Sequence, residues 1–190
     1  MTRRFPIVAT VVVLAAIATM IALGFWQLDR LRQKEALLTR YRAAQAISAD
    51  ALWPTDAAEA QGLLYRHATL DCVEVLSRSM VAGRNASGET GMAERVTCHL
   101  ANGGTAPIVL GWSKQPLGEN WAGGVVQGVI APGPRLVADP PLAGLAANAR
   151  PDPSELPNNH FAYAVQWFLF AATAAVIYAI ALWKRMRGKA

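Results

Sequence analysis

Two long apolar runs, one near each end of the chain, restrict the folds open to it. Residues 5–27 are almost wholly apolar, interrupted by Thr10 and Thr19, and the run from Phe161 to Trp183 carries no formal charge. As a helix rising ~1.5 Å per residue, either run is long enough to cross a hydrocarbon core of about 30 Å. The chain is 53% hydrophobic with mean hydropathy +0.23, too apolar for an ordinary soluble domain, and the excess lies in these two runs. The expected fold class is therefore membrane α plus β: two transmembrane helices bracketing a small, mostly antiparallel β domain. A secretory signal is the alternative for the first run, with Ala22-Leu23-Gly24 as a cleavage site. The run exceeds the roughly 7–15 apolar residues of such a signal, which favours a retained span.

The remaining boundaries follow from changes of pattern. Residues 28–47 mix an apolar stripe (Leu28, Leu31, Leu38) with charges at helical spacing and extend the first helix as an amphipathic segment. Residues 48–131 read as the β-rich domain, opening with a loop or short helix up to Gly62. Strands are expected over Leu63–Ser77, Glu94–Leu100, Pro107–Trp112 and Trp121–Ile130, with a turn region from Gly83 to Gly91 and another at Asn102-Gly103-Gly104. Residues 132–159 are rich in proline and alanine without a period and read as an extended return to the membrane. The second span covers 160–183, and a basic tail occupies 184–190.

Charge sets the expected orientation. Arg3 and Arg4 precede the first span, and Lys184, Arg185, Arg187 and Lys189 follow the second, against Arg30, Arg32, Lys34, Arg40, Arg42 and Arg150 on the inner flanks. Long loops translocate largely regardless of charge, so the terminal charges decide: both termini are expected in the cytoplasm and the central domain outside. The lipid bilayer is thus one partner. The net charge of +5 derives partly from these flanks, and no aromatic–basic motif points to nucleic acid. Cys72 and Cys98 lack metal-ligand spacing; a disulfide between neighbouring strands and two unpaired buried thiols both remain open.

Enzyme constellations are missing: there is no nucleophile elbow, phosphate-binding glycine loop, HExxH or paired carboxylate face. The expectation is a non-enzyme, with an enzymatic role as the lesser alternative. His67 and His99 fall in expected strands and read as ordinary surface or hydrogen-bonded histidines. His160 differs because Asn158 or Asn159 can cap the second helix and place it in the first turn. The positive end of the helix dipole favours a neutral imidazole there, the form that ligates iron. Taken alone, His160 reads first as an anchor at the headgroup layer. With both spans crossing, however, Trp26, Gln27 and Arg30 reach the same membrane face as His160, Tyr163 and Trp167. Aromatics against a flat apolar ring and arginine toward its carboxylates would suit a haem, while an interfacial aromatic belt explains the same residues without one.

At these residues the chain resembles the Surfeit locus protein 1 family of cytochrome oxidase assembly factors. Leu23-Gly24-Phe25-Trp26-Gln27-Leu28-Asp29-Arg30 with Lys34 is similar to the family's LGxWQxxR…K signature, and Asn158-Asn159-His160-Phe161-Ala162-Tyr163-Ala164 with Trp167-Phe168 to its NNHxxYAxxWF signature. Tyr65-Arg66, Gly91 and Gly111-Trp112 fall where the family has its β domain, although Leu110 stands where an arginine usually precedes Gly-Trp, and Pro116 lies later than usual. The resemblance implies an inner-membrane protein of bacterial type that helps build haem-copper oxidases. It implies haem a as a transient cofactor ligated by His160, and the cytochrome c oxidase catalytic subunit and other assembly factors as partners. A cofactor-free protein that stabilises an oxidase subunit, using the small-residue face Ala164, Ala171, Ala175 and Ala179, is the alternative.

Overall fold

The computed structural model describes residues 6–115 and 120–187. Arg3, Arg4, Phe5, Pro116 and Lys189, which entered the sequence reading, lie outside the described residues. The chain divides into two compact units, one formed by residues 1–37 with 157–190 and the other by residues 38–156.

The first unit is a pair of long helices. Helix α1 runs Ile7–Gln45, with its part up to Leu37 in this unit, and the closing helix, α3, runs His160–Arg187. Both are long and apolar enough to cross a membrane. Their large apolar side chains are mostly exposed: Val8 is 79% exposed, Val12 61%, Phe161 61% and Ile177 62%. A soluble core helix would bury such residues, whereas lipid accepts them, and helical backbone satisfies its own polar groups there. The less exposed positions of α1 in this unit include Thr10, Val13, Ile17, Met20, Gly24, Gln27, Leu31 and Lys34, a 3–4 alternation, with Leu23 and Leu28 beside it. In α3 they include His160, Ala164, Trp167, Ala171, Ala174 and Tyr178, with the same alternation, and Phe168 and Leu182 besides. That 3.5-residue repeat is the seam of a left-handed helix pair. Small residues allow close approach: Ala164 is 1% exposed, and a Cβ placed on Gly24 would fall 2.6 Å from Phe168 Cε1.

The second unit is a small barrel. Its first strand, β1 (Ala51–Leu52), pairs parallel with β2 (His67–Arg84), and α2 (Ala57–Gly62) lies between them in the chain. Asp56 caps α2 by accepting from Ala58 N at 2.8 Å. Strands β3 (Thr90–Leu100) and β4 (Thr105–Ser113) continue the antiparallel meander. The next strand, β5 (Gly124–Ala131), pairs with β6 (Arg135–Ala138), and β6 lies parallel to β4. Because β5 also pairs with the first half of β2, the order β2-β3-β4-β6-β5 closes on itself. Closure gives each of β2 to β6 at least two neighbours and leaves β1 as an edge beside β2. The interior holds Leu70, Val96, Ile108, Leu110, Val126, Ile130 and Leu136, all 5% exposed or less. Cys72 and Cys98 form a disulfide inside it, with Cα atoms 5.4 Å apart. A closed loop of this size is worth about 2–4 kcal/mol.

Several boundaries differ from the sequence reading. The strand expected from Leu63 begins at His67, because Tyr65 takes φ +67° and its N–H bonds Ile130 O at 2.7 Å, turning the chain first. It then runs through Gly83 to Arg84, and the turn is confined to residues 85–89, where Asn85 Oδ1 accepts from Ser87 N and Glu89 N. The strand expected from Trp121 begins at Gly124, after the positive φ of Gly123 (+125°); a Cβ at Gly123 would lie 2.5 Å from Cys72 O. The proline-rich return is more structured than expected. It holds β6, a short 3-10 helix Pro153–Glu155, and residues bridged to Trp112 and Asn85 through Ala146 and Asn148. Its prolines flank these pieces rather than interrupt them, so no ladder hydrogen bond is lost. At the altered Gly-Trp pair, Leu110 fills the barrel interior, and a Cβ on Gly111 would fall 2.4 Å from Leu145 Cβ.

Candidate functional site

The end of the apolar part of α1 and the start of α3 meet at one hydrogen bond. His160 Nδ1 lies 2.8 Å from Gln27 Oε1. His160 is the first residue of α3, held there by the helix-opening bond from Tyr163 N to Asn159 O at 3.2 Å. Gln27 occupies the seam of α1 one turn after Gly24, whose missing side chain lets Phe168 close against the helix. A carboxamide oxygen can only accept, so Nδ1 carries a proton, and in the neutral ring the lone pair is on Nε2. This is the arrangement in which a second partner fixes a histidine's tautomer and leaves its other nitrogen free to ligate. His160 is half-buried, so that nitrogen belongs to a ring partly open to the surroundings.

The other residues singled out from the sequence divide into two groups. Trp167 shares the seam face with His160, seven residues on, and its ring meets Phe170 edge-on at 6.1 Å. Tyr163 is 51% exposed, one turn from His160 on the flank of the seam. Trp26 and Arg30 lie on the exposed flank of α1, with the Arg30 guanidinium 5.6 Å from the indole centroid. Arg30 Nη1 also donates to Gln33 Oε1 at 2.9 Å, and Gln33 Nε2 donates to Asp29 Oδ2 at 2.7 Å. The structure thus brings Gln27 and His160 into contact. It leaves Trp26, Arg30 and Tyr163 as exposed groups around them.

Two features escaped the sequence reading. Phe25 and Phe168 pack edge-to-face at 5.4 Å beside the Gly24 contact, so the aromatic content of this level is larger than the six residues chosen. Asn158 was read only as a cap, yet its Oδ1 is buried without a hydrogen-bond partner. An orphaned acceptor of this kind costs about 1–3 kcal/mol unless a ligand or water satisfies it. The 3–4 spacing of small and polar residues through Gly24 and Gln27 was the available signal for the first feature; nothing in the sequence signalled the second.

The donor set therefore offers one imidazole nitrogen, Nε2 of His160, with exposed aromatic surface and the Arg30 guanidinium beside it. Among the described residues there is no cluster of histidine, cysteine and carboxylate groups able to hold a bare metal ion. The set suits a flat, apolar, anionic ring carrying its own metal better than a free cation. The paired helices touch directly at Gln27–His160 and Gly24–Phe168.

No curated protein sequence matches the chain. The profile of the SURF1 family matches residues 14–172, from within the first helix to within the last, and so takes in both helical motifs and the barrel between them. The chain belongs to the SURF1 family, a family associated with cytochrome oxidase assembly.

Proposed function

We propose that this protein holds haem a at His160 and passes it to the catalytic subunit of a haem-copper cytochrome c oxidase during assembly. The observation that carries this reading is the Gln27–His160 hydrogen bond, which occupies Nδ1 and leaves Nε2 for a ligand. His160 would bind the iron, the exposed faces of Trp26 and Tyr163 would cover apolar ring surface, Trp167 would back the site from the seam, and Arg30 would pair with a propionate. Since the helices are in contact at this level, the ring would lie against the outside of the pair rather than between them. Asn158 Oδ1 would accept from the hydroxyl of the hydroxyalkyl chain carried by haems of the a and o types. When bound, haem supplies an iron centre destined for the oxidase; the chain itself provides ligation, cover and orientation, without a catalytic step.

In this reading the protein is an inner-membrane protein of bacterial type with both termini cytoplasmic and the barrel outside. The test is an optical spectrum of the protein purified from cells that make haem a. A haem spectrum in the wild type that vanishes in His160→Ala supports ligation. No haem in the wild type, or an unchanged spectrum in the variant, overturns it.

A cofactor-free interaction role is the second reading. Of the small-residue face it relied on, Ala164 and Ala171 are buried in the helix pair, whereas Ala175 and Ala179 are exposed and open to another helix. Normal oxidase maturation in a His160→Ala strain favours this reading over haem delivery.

A further inference from the structure

The outer face of the barrel carries a groove that the helix-pair site does not use. Its volume is about 600 Å³. The floor is formed by Val81, Ala93, Val109 and Val137, one from each of β2, β3, β4 and β6. Apart from half-buried Val81, these floor residues are buried, and all are small, so they make a shallow apolar trough across four strands. The segment carrying Asn148 and Ala149 forms one wall, tied to the end of β2 by Ala149 N to Arg84 O at 2.8 Å.

Polar groups are distributed unevenly around this trough. Asn148 Nδ2 is buried and has no hydrogen-bond partner. Beside it, Arg84 lines the groove, and among the described residues its side chain makes no ion pair or hydrogen bond. Arg135, on β6, and Glu155 also line the groove with opposite formal charges, and Arg135 already donates to Pro132 O. Arg150, in the adjoining hollow, is paired with Asp139 at 3.0 Å. One uncompensated positive charge with one unsatisfied amide donor therefore sits at one end of an apolar floor. A carboxylate takes a guanidinium and an amide donor together, and desolvation by the wall would strengthen both bonds. A cleft of this size and polarity is of the kind that holds a small ligand.

We propose that this groove binds a single-chain carboxylate amphiphile, a fatty acid, with the carboxylate on Arg84 and Asn148 and the chain on the floor formed by Val81, Ala93, Val109 and Val137. The site is independent of His160.

The full-length protein in lipid nanodiscs, irradiated with a diazirine-tagged fatty acid and digested for mass spectrometry, tests it. Adducts are expected within residues 81–84, 93, 135–137 and 148–149, beside those that any lipid probe leaves on α1 and α3. Arg84→Glu lowers the groove adducts about tenfold and leaves the helix adducts unchanged; the main-chain bond from Ala149 to Arg84 does not depend on that side chain. Asn148→Leu, which keeps the apolar wall, gives the same selective loss and serves if the first variant misfolds. Adducts confined to the helices, groove adducts indifferent to both substitutions, or stronger groove labelling by a tagged lysophosphatidate would each overturn the proposal.

Discussion

His160 Nδ1 and Gln27 Oε1 lie 2.8 Å apart, so the residue that opens the last helix is oriented by a residue at the end of the apolar part of the first. The orientation of the His160 ring depends on a partner 133 positions away in the chain. Gln27→Leu removes that partner while keeping an apolar seam. Loss of such an outer partner typically costs about 10–100-fold in affinity, so haem occupancy is expected to fall by that order in a titration of purified protein. Gln27→Glu, which still accepts from Nδ1, retains it. Equal occupancy in wild type and Gln27→Leu would remove Gln27 from the site.

Asn158 supplies a buried acceptor without a donor. If it receives the hydroxyl of a hydroxyalkyl haem, Asn158→Leu weakens binding of haem a or haem o by about 1–3 kcal/mol and leaves haem b, which lacks that hydroxyl, unchanged. Parallel titrations with the three haems read this out as a change in selectivity. A uniform loss across all three would remove the hydroxyl contact from the site.

At the contact between Gly24 and Phe168, the atom met by a new Cβ is the edge of a phenyl ring rather than backbone. Gly24→Val is therefore expected to strain the helix pair by about 1–3 kcal/mol without abolishing it. Phe168→Leu in the same chain makes room and recovers part of the loss. Thermal solubility of the single and double variants in detergent measures the coupling, and strictly additive effects would contradict the contact.

Tyr65, in the barrel unit, has its phenol pushed above the ordinary tyrosine value, chiefly by burial, with Tyr41, Asp152 and Glu155 adding to the effect. Its folded-state value exceeds its unfolded one, so the native state holds the proton more tightly. The associated stability is fully present below about pH 10 and is lost as pH rises through the folded-state value. Urea denaturation followed from pH 8 upward should show a decline above about pH 10 that is reduced in Tyr65→Phe.

The helical half of the fold was legible because lipid tolerates so few alternatives: an uncharged run such as Phe161–Trp183 has only a helix available. The Asn102-Gly103-Gly104 turn was legible for a local reason, as Gly103 takes φ +84° and Asn102 Oδ1 accepts from Gly104 N. Closure of the barrel was not legible. It depends on β5 pairing with the first half of β2, a contact between distant residues that leaves no periodic trace in either. The strand β6 was hidden by composition, since four residues between proline pairs look like a linker until a neighbour pairs with them. At the candidate site, Gln27 and His160 were identified by their motifs. The place of Arg30 beside Trp26, and the isolation of Asn158 Oδ1, depend on side-chain geometry that no motif encodes.

The helix pair carries a second clasp, at its opposite end. Tyr178 OH lies 2.5 Å from Thr10 Oγ1, and the threonine hydroxyl also donates to Pro6 O at 2.9 Å, so the phenol is the donor between them. From Thr10 to Gln27 is about 26 Å along one helix, and from His160 to Tyr178 about 27 Å along the other. Two rungs about as far apart on either helix work as a gauge: neither helix can slide by a turn against the other without breaking both. The register that brings His160 level with Gln27 is thereby held by a hydroxyl pair about 26 Å away along the helices.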